Sequence, residues 1–160
     1  MRGIKIREVT KVYKDTKALE HVSVQFEEGK IYALLGRNGA GKSTLLNIIS
    51  NRIFSDQGEV LVDGENAQEN DQVQQKIYLM SEQTLYPAGM KIQQAFRWSE
   101  EFYPKFDMEY AMELSKAFGL NTKKKVRALS TGYKSIFKLI IALSVNVPYL
   151  FLDEPVLGQI

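Results

Sequence analysis

The nine residues GRNGAGKST at positions 36–44 constrain this chain more than any other feature. Gly36, Gly41, Lys42 and Ser43 fit the pattern G-x-x-x-x-G-K-[ST]. Ahead of them, residues 31–35 form a short apolar run without polar alternation, which predicts a buried strand. Behind them, Leu45, Leu46, Ile48 and Ile49 recur at helical spacing. A strand that passes through a glycine-rich turn into a helix is the setting in which this pattern cradles phosphate. Glycines let consecutive N–H groups converge on an anion, and the helix adds its unpaired N–H groups and positive dipole end. On that reading Gly36, Arg37, Asn38, Gly39, Ala40, Gly41, Lys42, Ser43 and Thr44 wrap a polyphosphate tail. Lys42 reaches the terminal phosphates and the Ser43 hydroxyl ligates Mg²⁺. The alternative, a chance glycine-rich turn, is expected in roughly one chain in a hundred of this length.

Composition narrows the partners. With 160 residues, 44% of them hydrophobic, the chain can bury one sizeable core and fits a single domain. A net charge of +2 is too small to imply a nucleic-acid partner. The absence of cysteine excludes disulfides and thiolate metal sites and is compatible with the cytoplasm. No apolar leader follows Arg2. The most apolar segment, 139–152, contains Asn146 and Pro148 and falls short of the roughly 20 residues of a membrane span. A membrane role therefore requires a partner.

Residues 4–12 and 22–26 read as strands; in the second, Val22, Val24 and Phe26 alternate with Ser23 and Gln25. His21 reads as an ordinary strand-end histidine and Tyr13 as a half-buried aromatic. Residues 58–62 form a strand ending at the turn dipeptide Asp63-Gly64, residues 65–76 a loop or short helix, and residues 77–80 an apolar strand. From Lys91 the pattern turns helical. Ile92, Ala95, Phe96 and Phe102 share one face of a helix that Pro104 ends. Asp107 caps a second helix in which Ala111, Leu114, Ser115 and Phe118 share a side and Gly119 closes the end. Lys123, Lys124 and Lys125 read as a solvated loop.

Ser130 or Thr131 caps a third helix with Ile136, Phe137, Ile140, Ile141 and Leu143 on a broad apolar face. Its N-terminus offers either plain capping or a second anion site. Pro148 ends it, and residues 149–152 read as a buried strand that delivers Asp153 and Glu154 at its carboxyl end. Ligands of open α/β sheets bind at that edge. There Asp153 can hold Mg²⁺ through water and Glu154 can orient or deprotonate an attacking water. An acidic pair in a plain surface loop is the competing reading.

Taken in order, these residues resemble the nucleotide-binding domain of ATP-binding cassette (ABC) ATPases, over the whole chain. GRNGAGKST matches the Walker A loop, and Tyr13 stands where the family has an adenine-stacking aromatic. Gln83 matches the glutamine that touches Mg²⁺ and senses the transmembrane partner. Leu129, Ser130, Thr131, Gly132 and Tyr133 match the signature sequence, and LFLDEP at 150–155 matches Walker B. The resemblance implies an α/β fold: a P-loop NTPase core with a small antiparallel β subdomain. It also implies a helical subdomain at about residues 84–143, within one domain over 1–160. It further implies an ATP-hydrolysing subunit with Mg-ATP as ligand and Glu154, Lys42 and Gln83 as catalytic residues. Ser43, Gln83 and Asp153 would be the metal ligands.

Two copies, or this chain and a related ATPase, would pair head to tail, with Ser130, Thr131 and Gly132 meeting the nucleotide of the other copy. The pair would sit on the cytoplasmic, inner face of the cell membrane, docked on a transmembrane permease that sets substrate and direction. No nucleic-acid partner is expected.

Two departures from the family pattern stand out. The signature reads LSTGY where LSGGQ is usual, so Thr131 adds bulk and Tyr133 replaces an amide, which weakens rather than abolishes contacts across the pair. The sequence also ends six residues after Glu154, before the family's switch histidine. It therefore reads as a cassette whose C-terminal part is missing, with impaired hydrolysis, lowered stability and a tendency to self-associate. The alternatives are a nucleotide-binding module with little or no hydrolysis, and a non-transport ABC ATPase.

Overall fold

The computed structural model describes residues 2–155. The chain divides into two compact units, Met1–Ile77 and Tyr78–Ile160.

In the first unit, strands β1 (Gly3–Tyr13) and β2 (Thr16–Glu27) form a long antiparallel hairpin. Strand β3 (Gln57–Val62) pairs with the other edge of β1, and the two-residue β4 (Glu65–Asn66) pairs with β3. The sheet order is β2-β1-β3-β4, antiparallel throughout. Period-2 alternation sends Ile4, Ile6, Val60 and Val62 into one buried face. The turn between β3 and β4 is Asp63-Gly64, both at positive φ (54° and 87°), as the dipeptide predicts. Helix α1 (Lys42–Ile49) buries Leu45, Ile48 and Ile49, and α2 (Asp71–Gln74) buries Val73 under an Asn70 cap.

At the hairpin tip, Asp56 accepts the Val12 N–H at 2.7 Å and the Lys11 ammonium at 3.0 Å. The Val12 N–H first, and then Lys11, hold the Asp56 carboxyl below its usual 3.8. Its contribution to stability is therefore present above that pH and is lost as pH falls through the lower, folded value. Asp56→Asn is expected to flatten the acid limb of the unfolding curve. Identical acid limbs in the two proteins, followed by circular dichroism, would count against this pairing.

In the second unit, β5 (Ile77–Met80) and β6 (Tyr149–Leu152) make a two-stranded sheet. Helices α3 (Ile92–Phe102), α4 (Met108–Ala117) and α5 (Thr131–Ser144) pack with it around one core. Asp107 caps α4 by accepting the Tyr110 N–H at 2.9 Å, and Gly119 closes it at φ 67°. Phe137 lies at the centre of this core, its ring 6.2 Å from Phe96 and 5.6 Å from Tyr86. The Tyr86 hydroxyl is tied to Ser99 Oγ at 2.6 Å, and burial raises its pKa.

Several sequence expectations fail for identifiable reasons. Residues 31–35 are not a strand, and Ile31 and Leu35 are almost wholly exposed. An apolar run without alternation needs cover on both faces, and no strand among the described residues pairs with it. Tyr32 is anchored, edge-on to Phe26 with its hydroxyl accepting the Glu27 N–H. Phe102 is exposed because the buried stripe Ile92, Ala95, Phe96, Ser99 continues to Tyr103, one residue further round. Phe118 is exposed at the α4 C-cap, and Leu143 lies off the Phe137, Ile140, Ile141, Ser144 stripe. Strand β6 is half-exposed, with Leu150 and Leu152 facing out. Residues 65–76 hold the short helix expected there, and the two-residue β4 at their start is an addition. His21 lies inside β2, not at its end, at φ 47° beside a register shift and 3.3 Å from Glu8. The chain-end reading at 156–160 lies outside the described residues.

Candidate functional site

In the first unit the glycine-rich loop runs exposed from Gly36 into the first turn of α1. Ala40 N–H closes a tight turn on Arg37 O at 3.0 Å around Asn38 and Gly39. Gly41 forms the N-cap at φ 88°, and a Cβ there would lie 2.3 Å from the Ala18 carbonyl and 2.8 Å from Leu19 Cδ2. Only glycine fits both the left-handed backbone and the close approach to β2. Gly41→Ala is accordingly expected to cost about 1–3 kcal/mol and to displace the loop. A melting temperature equal to that of the parent would contradict this.

The first intrahelical bond of α1 runs from Leu45 N–H to Gly41 O at 2.9 Å. The N–H groups of Lys42, Ser43 and Thr44 precede it, at the positive end of the helix. The Lys42 ammonium sits inside the loop, donating to Gly36 O at 2.6 Å and Arg37 O at 2.9 Å. Two neutral carbonyls are weaker partners for an ammonium than phosphate oxygens. The loop thus carries a cation and oriented donors that an anionic tail can engage. Tyr13 ends β1 at the hairpin tip with its ring exposed and the Lys11 ammonium 5.5 Å from its centroid.

In the second unit the structure joins residues that the sequence separates by about seventy positions. Asp153 N–H donates to Met80 O at 2.8 Å, so the carboxyl ends of β5 and β6 lie side by side. Ser81, Glu82 and Gln83 leave one end; Asp153 and Glu154 leave the other. Glu154 is exposed at φ 49°, a left-handed backbone that bends the chain directly after Asp153. Gln83 is exposed on its bend.

Ser130 is the N-cap of α5, its hydroxyl accepting the Tyr133 N–H at 3.3 Å. Thr131 and Gly132 follow, exposed, with nothing within 4 Å of a Cβ placed on Gly132. Sequence reading missed Lys138, whose ammonium donates to Ser81 O at 3.0 Å and Glu82 O at 2.8 Å. Its signal was a lone charge inside the apolar stretch 136–143.

The Ser43 hydroxyl, the Gln83 amide oxygen and the Asp153 carboxylate are hard oxygen donors, the type that suits Mg²⁺. Among the described residues, no three His, Cys, Asp or Glu side chains cluster as a metal cage.

The family model for ABC transporters matches residues 19–157. The chain is 36% identical over 155 residues to the ABC transporter ATP-binding protein YtrB of Bacillus subtilis, covering 97% of this chain and 53% of that protein. It is 30% identical to the methionine import ATP-binding protein MetN of Clostridium tetani, covering 94% of this chain and 51% of that protein. The chain thus spans about half the length of these relatives. Among solved structures, an ATP-binding cassette captured as a dimer after hydrolysis, bound to ADP and Pi, superposes with a TM-score of 0.84 at 26% identity. That match covers 98% of this chain and 76% of that one. An ABC transporter ATP-binding protein from Pyrococcus furiosus gives 0.82 at 27% identity, covering 99% and 78%.

Proposed function

Since the chain belongs to the ABC transporter family, we propose that it is the ATP-binding and ATP-hydrolysing part of a transporter whose membrane passage is a separate protein. The observation that carries this reading is the Lys42 ammonium, held at the mouth of a glycine-tight helix N-terminus by two carbonyls it can exchange for phosphate. Arg37 through Thr44 would bind the triphosphate tail, and the exposed Tyr13 ring would stack on the base.

Ser43, Gln83 and Asp153 would hold Mg²⁺, which supplies charge neutralisation on the phosphates. Glu154 would accept the proton of the attacking water as the water oxygen bonds to the γ-phosphorus, and the bond to the bridging oxygen would break toward ADP. Gln83 would orient that water. Lys42 would carry the charge that builds on the phosphate oxygens.

Ser130 and Gly132 would meet the nucleotide of a second copy or of a related subunit packed head to tail. The open surroundings of Gly132 and the dimeric solved cassette support this. Thr131 and Tyr133 would loosen that contact relative to a glycine–glycine–glutamine signature.

The helical segment at about 84–143 would dock the membrane partner at the cytoplasmic face. No helix among the described residues is long and apolar enough to cross a membrane itself. Titration calorimetry of the full chain should show binding heat with ATP that depends on magnesium. No such heat from folded protein would overturn the reading.

A further inference from the structure

A tie between α5 and the segment that follows β5 is made by a residue with no role so far. Lys138 lies on α5, two turns beyond the Ser130 cap, amid Ile136, Phe137, Leu139 and Ile140. Its ammonium does not run to a carboxylate. It donates to two successive backbone carbonyls, Ser81 O at 3.0 Å and Glu82 O at 2.8 Å. The carbonyl before them, Met80 O, accepts the Asp153 N–H at 2.8 Å. All three carbonyls that lead into Gln83 are thereby held, one from the acidic strand and two from the helix that opens at Ser130.

From this arrangement we propose that Lys138 is a positioning residue, which fixes the backbone ahead of Gln83 and so sets where the Gln83 amide points during hydrolysis. The proposal rests on the reading of Gln83 as a residue of the hydrolytic site. The geometry suits a positioning role rather than plain packing. A methionine of similar length would fill the same space, but it could donate to neither carbonyl. Partial burial pushes the Lys138 pKa down, and Glu82 acts in the opposite direction.

The test uses the full chain and four variants: Lys138→Met, Lys138→Arg, Gln83→Ala, and the double variant Lys138→Met/Gln83→Ala. In nucleotide-free protein, Lys138→Met should speed amide hydrogen exchange over residues 81–85, and Lys138→Arg should restore the slow exchange. In ATP turnover, Lys138→Met should lower kcat about tenfold, the scale typical of a lost supporting contact. ATP affinity should change less than about twofold, and Lys138→Arg should recover most of the rate.

In the Gln83→Ala background the same substitution should have almost no further effect, because a residue that acts through Gln83 has nothing left to position. Equal rate losses in both backgrounds, or unchanged exchange at 81–85, would overturn the proposal while leaving the ATPase reading intact. Absence of Lys42-dependent turnover in the parent chain would overturn both.

Discussion

Lys42→Ala should lower steady-state phosphate release by about 10²–10³-fold, the loss expected when a single charged or hydrogen-bonding group is removed from the developing phosphate charge. The reason lies in the loop itself. The Lys42 ammonium is within 2.6 Å of Gly36 O and 2.9 Å of Arg37 O, so it is already inside the loop before any phosphate arrives. Little reorganisation is needed to transfer it to phosphate oxygens, and an alanine removes that cation from the loop. The alanine at the start of α1 is a good helix former, so α1 should persist and the melting temperature should move by only a few degrees. Turnover that survives this substitution within about threefold would remove the loop from the chemistry. A collapse in stability would instead show that Lys42 is structural.

The largest expected loss of stability comes from Phe137→Ala. The Phe137 side chain is fully buried, and its ring meets both Phe96 and Tyr86. Removing it takes away the apolar transfer energy and leaves a cavity between α3 and α5, together about 3–5 kcal/mol. The exposed Phe102 is the internal control, and Phe102→Ala should stay within about 0.5 kcal/mol. Urea unfolding of the two variants side by side measures the difference. Because α5 carries both Ser130 and Lys138, a weakened Phe137 contact should also lower ATP turnover. A Phe137→Ala protein that unfolds at the parent's midpoint would refute this account of the core.

The glycine-rich turn and the start of α1 were legible because their determinants are local. Four residues of fixed type within eight positions dictate a turn, a helix start and a cation, whatever surrounds them. The helices and their caps were legible for the same reason: Asp107, Ser130 and Gly119 act on backbone groups within a few positions of themselves. The errors fall where the deciding partner is distant. Residues 31–35 are apolar enough for a central strand, but a strand exists only with a neighbour to bond, and composition cannot supply one. Phe102, Phe118 and Leu143 are apolar and helical or helix-capping, yet each is rotated off the contact stripe by an amount that only packing fixes.

The sequence by itself determined the glycine-rich turn, the helix that starts at its end and the cation beside it, because motif spacing within one turn of chain sets which groups lie together. Only the tertiary structure decided that Asp153 lies beside Met80, and that Lys138 closes on the two carbonyls before Gln83. Those contacts join residues more than fifty positions apart, and local propensity carries no information about which distant hydrogen-bond partners the folded backbone will find.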